Sequence, residues 1–145
     1  MKFNHPSSTL AAAVGIAIAS ITSLSALTFT PYLTETAIAQ EAAPTVTTAS
    51  TAREMALAKH LHKTGAKLYT AFWCPHCHNQ KERFGKEAIG QIEVIECDQR
   101  GVKPQTQLCI DKKIRGFPTW EINGELYAGD RSLENIARLS KYRSN

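Results

Sequence analysis

The chain has 145 residues, room for one domain. Its 17 Lys and Arg against 13 Asp and Glu leave a formal net charge of +4, and the basic side chains are scattered. No block of five or six like charges appears, so the surface reads as solvated and mildly basic, and no nucleic-acid partner is expected if the chain is exported.

Met1 to His5 carries Lys2, and the stretch 10–29 is apolar or small with no charge. Ala37-Ile38-Ala39 follows as an A-x-A site. Together they read as a secretory signal peptide over 1–39, cut after Ala39. Left uncut, residues 10–29 are long enough to anchor the chain in a bilayer. An exported protein meets a disulfide-permissive compartment, and all four cysteines, Cys74, Cys77, Cys97 and Cys109, lie beyond the cut.

Residues 40–50 are Ala/Thr/Pro-rich without apolar periodicity and read as a flexible leader; the domain proper is expected over 51–145. From Thr51, Met55, Leu57, Ala58 and Leu61 fall on one side of a helix that Gly65 stops. Lys67 to Phe72 reads as a strand, and Cys74 to Ala88 as one helix with Phe84 and Ala88 inward. Gln91 to Cys97 alternates as a half-buried strand, and Asp98 to Gly101 is a turn. Pro104 to Lys113 reads as a short helix. Thr119 to Ile122 and Glu125 to Ala128 flank Asn123-Gly124, a hairpin signal. Ser132 or Asp130 can cap a last helix whose apolar side is Leu133, Ile136, Ala137 and Leu139. A β-α-β unit, a hairpin and a closing helix make a small α/β sandwich. No glycine-rich phosphate loop of the G-x-G-x-x-G or Walker type occurs.

The chemistry concentrates in Trp73-Cys74-Pro75-His76-Cys77-His78. A Cys-x-x-Cys pair between a strand and a helix sits where the first helical turn leaves N–H groups free, and those donors and the helix dipole stabilise a thiolate. Pro75 fits that turn because it lacks an N–H that would go unused. Cys74 is the expected nucleophile and Cys77, one turn deeper, the resolving thiol. His76 is expected to support the Cys74 thiolate by charge and hydrogen bonding, which favours the reduced form and makes the disulfide an oxidant. Four cysteines allow three pairings; the local pair leaves Cys97–Cys109, closing a short loop, as a structural disulfide or a second redox pair.

Rival readings exist. CPHCH also fits the c-type haem pattern with His78 as axial ligand, yet it follows a strand, and Met55 is the sole Met beyond the cut. His60 and His62 with this segment, or the thiolates alone, could hold a soft metal, but an exposed helix end explains both histidines. No second Cys-x-x-Cys follows to complete a zinc site. No metal and no cofactor are expected.

Trp73-Cys74-Pro75-His76-Cys77 and, some forty residues later, Gly116-Phe117-Pro118-Thr119 resemble the two motifs of the thioredoxin-like fold. The resemblance implies a three-layer α/β/α sandwich with a mixed sheet, and a cis Pro118 packed on the dithiol. It makes Pro118 part of the catalytic set and Phe117 and Trp73 substrate contacts. In thioredoxin a carboxylate buried behind the dithiol accepts a proton; none lies in Lys67 to Trp73, so that aid is absent or comes from elsewhere, with Glu121 or a lysine as candidates. CPHC, Ile95-Glu96-Cys97-Asp98 and Gly116 to Gly124 together resemble the thioredoxin-like domain of vitamin K epoxide reductase-type proteins of photosynthetic organisms. That implies an exported thiol–disulfide oxidoreductase, monomeric, in the periplasm or thylakoid lumen. It would donate disulfides to protein thiols and be reoxidised by a quinone-linked membrane oxidase. The alternative within the same chemistry is a reductase or isomerase.

Overall fold

A computed structural model describes residues 39–143. The signal peptide and the anchor at 10–29 expected above lie outside the described residues, apart from Ala39. The first helix, α1 (Ala52–Lys63), opens on a capping box in which Thr51 and Glu54 satisfy each other's backbone donors. The chain then runs β1 (Lys67–Thr70), α2 (Pro75–Phe84), α3 (Lys86–Ile89), β2 (Glu93–Glu96), α4 (Thr106–Asp111), β3 (Thr119–Ile122), β4 (Glu125–Ala128) and α5 (Leu133–Leu139).

The sheet order is β2-β1-β3-β4, with β1 and β2 parallel and the other two pairings antiparallel. Side chains alternate across it. Leu68, Trp120 and Ile122 face a core shared with Leu57, Leu61, Phe84, Ala88 and Ile136, so α1, α2, α3 and α5 cover that face. Tyr69 and Ile95 point the other way, into a smaller core with Cys97, Cys109 and Leu108, so α4 covers that one. The result is an α/β/α sandwich with a mixed sheet, a thioredoxin-like fold.

One buried polar side chain ties the large core together. Gln80 of α2 accepts from Trp120 Nε1 at 3.2 Å and from the Arg131 amide at 2.8 Å, and donates to the Arg131 carbonyl at 3.2 Å. The helix that carries the cysteines is thereby fixed to β3 and to the entry of α5.

Several expected boundaries move. The single helix over 74–88 breaks at Gly85, whose φ of +79° is left-handed. A Cβ there would lie 2.6 Å from Ser50 Oγ. Ser50 bridges the break, donating to the Phe84 carbonyl at 2.8 Å and accepting from the Ala88 amide at 2.9 Å. β1 stops at Thr70 because the chain turns, with the Cys74 amide bonded to the Ala71 carbonyl. β2 is limited to Glu93–Glu96, although the Cys97 amide adds one more bond to the Thr70 carbonyl. α4 begins only at Thr106 because the Gln105 amide is spent on the Glu96 carbonyl.

The stretch 40–50, expected as a flexible leader, lies against the domain as a strap. The Glu41 amide bonds the Arg100 carbonyl at 2.7 Å, and Glu41 bridges Gly101. Glu82 accepts the amides of Thr47 and Thr48 at 2.8 and 3.0 Å, and both hydroxyls as well. Lys86 donates its amide to the Thr48 carbonyl, and Glu87 accepts the Ser50 amide. Polar pairing rather than apolar periodicity holds this segment.

Candidate active site

Cys74 is the N-cap of α2, with extended backbone (φ −81°, ψ 114°) and Pro75 directly after it. Its Sγ accepts the Cys77 amide at 3.3 Å, one of the donors that a helix start leaves without an internal partner. A negative sulfur at that point also meets the positive end of the helix dipole. The thiol lies 3.6 Å from the Phe117 carbonyl, to which it donates. Cys77 sits one turn inward, more deeply buried. Burial pushes the Cys77 thiol well up, and its hydrogen bond with Cys74 adds to the rise; Lys81, one turn on, opposes it weakly. The two cysteines, not bonded to each other, therefore differ: one sulfur at the helix mouth with a backbone donor aimed at it, one kept protonated in an apolar setting.

The loop before β3 forms the opposite side. The Phe117–Pro118 peptide is cis, and Pro118 is fully buried. Phe117 packs against Ala71, Cys74 and Cys77. Trp73, 55% exposed, stands at the rim with its ring edge-on to Phe117, centroids 6.3 Å apart. Its indole Nε1 donates to Asp98 Oδ2 at 2.8 Å. Hydrogen bonds from Arg100 and from Trp73 hold the Asp98 carboxyl far below the usual carboxylate range. The Arg100 guanidinium also lies 5.3 Å from the Phe72 ring centroid. The turn 98–101 is thus a brace for the two aromatic residues that precede Cys74.

The structure brings Trp73, Cys74, Cys77, Phe117 and Pro118 into one site. His76 is exposed, and among the described residues no hydrogen bond joins its ring to either sulfur. His78 pairs instead with Glu82, Nε2 to Oε1 at 3.5 Å. Cys97 and Cys109 are disulfide-bonded, Cα atoms 5.8 Å apart, tying the end of β2 to α4 on the far face of the sheet. Glu121 does not serve the dithiol: it accepts from Tyr69 at 2.6 Å and Lys112 at 2.5 Å on the α4 side. Burial pushes the Glu121 carboxyl up, but those two donors outweigh it and hold it low. The carboxyl bonded to the active-site loop is Glu96, raised by burial while amides of Asp98 and Phe72 oppose the rise. His60 bonds the Ser140 carbonyl and packs on Tyr142. Among the described residues no cluster of three or more His, Cys, Asp or Glu could hold a metal.

Sequence reasoning missed Asp98, Arg100, Glu96 and the strap. Glu96 ends a strand and Asp98 and Arg100 stand in a turn, and the local sequence signals only a strand and a turn. Strap residues Ala42 and Pro44 join Phe72, Trp73, Cys74, Pro75, His78 and Asn79 in lining a cleft of about 390 Å³. No local signal in the sequence marks them for that place.

No family model matches the chain. It is similar to the thiol-disulfide oxidoreductase LTO1 of Arabidopsis thaliana, with 42% identity over 100 residues, 67% of this chain and 27% of the relative. The matched region spans about a quarter of the length of that relative.

Proposed function

We propose that the chain is a protein thiol–disulfide oxidoreductase that works through Cys74 and Cys77 and acts as a disulfide donor. The observation that carries this reading is the asymmetric pair, with Cys74 Sγ accepting a helix-start amide and Cys77 buried one turn deeper. A donor that stabilises the Cys74 thiolate favours the reduced protein and makes the disulfide the stronger oxidant. The likeness to a thiol-disulfide oxidoreductase supports the same chemistry.

The donor cycle starts from the Cys74–Cys77 disulfide. A substrate thiolate attacks Cys74 Sγ, forming a mixed disulfide and releasing Cys77 as a thiolate, which takes up a proton. A second substrate thiolate attacks the substrate sulfur of the mixed disulfide, closing the substrate disulfide and releasing Cys74. Two electrons pass to the dithiol. An oxidant must then remove them, and a quinone-linked membrane oxidase of the vitamin K epoxide reductase type fits that need. The compartment is the periplasm or thylakoid lumen, reached through residues 1–39. Cys97–Cys109 remains intact through the cycle and holds α4 in place, and Trp73 and Phe117 contact the substrate.

Cys77→Ser tests the cycle, because the resolving thiol is gone while Cys74 still reacts. Mixed with a disulfide-bonded protein, the Cys74 thiolate attacks one sulfur and expels the other as a thiolate; with no Cys77 thiol to reverse the step, the expected result is a stable mixed disulfide, read as added mass that dithiothreitol removes. A Cys77→Ser chain that forms no such adduct, or forms it equally when Cys74→Ser is added, contradicts the assignment.

A further inference from the structure

We infer that the strap residues Ala42 and Pro44 are one wall of a substrate cleft, which receives an uncharged apolar side chain of the partner polypeptide beside its reacting cysteine. The inference rests on the dithiol reading above. Cys74 is nearly covered, and it borders the cleft of about 390 Å³, so a partner sulfur reaching it brings its chain neighbours into that space. The volume falls in the range of built ligand clefts. No Asp, Glu, Lys or Arg lines it, and the lining is mainly Ala42, Pro44, Phe72, Trp73 and Pro75. A charged side chain placed there would lose its hydration without a partner, whereas an apolar one would gain by burial.

Both walls are fixed before anything binds. The strap is held on either side of Ala42 and Pro44, by the Glu41 amide on Arg100 and by Thr47 and Thr48 on Glu82. Trp73 is held by Asp98. A preformed cleft does not lose binding free energy to ordering its own loops. At the α2 end, His78 Nδ1 is buried with no hydrogen-bond partner among the described residues, which leaves it free for a polar backbone group of the incoming chain.

The test uses the full chain, reduced, with short peptides whose single cysteine carries a 5-thio-2-nitrobenzoate leaving group. Cys74 thiolate attacks the peptide sulfur, the coloured thiolate departs, and Cys77 then releases the peptide thiol as the Cys74–Cys77 disulfide forms. One peptide has Leu or Phe beside the cysteine, the other Ser or Asp. The native chain is expected to react about tenfold faster with the apolar peptide. Ala42→Trp, which fills the cleft, and Pro44→Glu, which charges it, are expected to bring that ratio close to one. Both positions are exposed, so neither change disturbs the core. Equal rates in the native chain, or a ratio that survives both substitutions, overturns the cleft and leaves the dithiol reading standing. Absence of colour release with every peptide overturns both.

Discussion

Two buried cysteines, one capping α2 and one in its first turn, illustrate how much position decides. Cys77 is pushed up by burial, while Cys74, three residues earlier, has a backbone N–H pointed at its sulfur. Their placement at a helix start was legible in the sequence, because the spacing and Pro75 alone define one. The Asp98 brace on Trp73 was not, since the two residues meet only through the sheet. Gln80 was equally silent: in a polar helix it reads as solvated, yet it is fully buried on Trp120. Gln80→Leu removes the acceptor for two donors, the buried Trp120 indole and the part-buried Arg131 amide. Leaving buried donors unpaired costs about 1–3 kcal/mol each. The melting temperature is expected to fall by roughly 10 °C or more, measured by thermal unfolding; a shift under about 2 °C would contradict the role given to Gln80.

At the scale of elements, the strap and the disulfide each hold a surface segment by a different force. Glu82 accepts the strap amides and hydroxyls, chiefly from Thr48, and its carboxyl drops from the usual 4.5 to about 2. A folded value below the unfolded one contributes stability that is present above pH 4.5 and is lost as the pH falls towards 2. Glu87, lowered by the Ser50 amide, shifts in the same direction. Amide exchange of Thr47 and Thr48, corrected for intrinsic rates, is therefore expected to speed up between pH 4.5 and 2. Glu82→Gln should show the faster exchange already at pH 7; protection unchanged in that variant would contradict the attachment. The strap was illegible because its partners are acidic residues on helices that look solvated. The Gly85 break was hidden because Phe84 and Ala88 keep the inward spacing across it. For α4 the crosslink spans 12 residues. In the chain-entropy picture such a loop is worth about 3 kcal/mol. Replacing Cys97 and Cys109 together by Ala is expected to lower the melting temperature by roughly 10–20 °C. An unchanged melting curve would show that the loop needs no crosslink.

At the scale of the whole molecule, the order of elements and the hairpin were legible, the latter to the residue. Asn123 and Gly124 both take positive φ, 54° and 82°, which is what a two-residue turn between twisted strands requires. Strand ends were less legible, because hydrogen bonds from neighbouring segments, not propensity, stop β1 and start α4. Sheet order follows from no local pattern, whereas the alternation that turns Leu68 and Tyr69 to different cores does. β1, an inner strand, ends four residues before Cys74, and its neighbour β3 starts where Phe117 and Pro118 meet that cysteine. The fold thus joins two distant motifs into one thiol site, and its potential decides the direction of electron flow. The most direct measurement is a redox titration of the full chain, trapping free thiols by alkylation and reading Cys74 and Cys77 by mass. A disulfide donor should show one reversible two-electron transition well above thioredoxin's potential of about −270 mV, with Cys97–Cys109 oxidised throughout. A potential at or below that value, or no reversible transition, would contradict it.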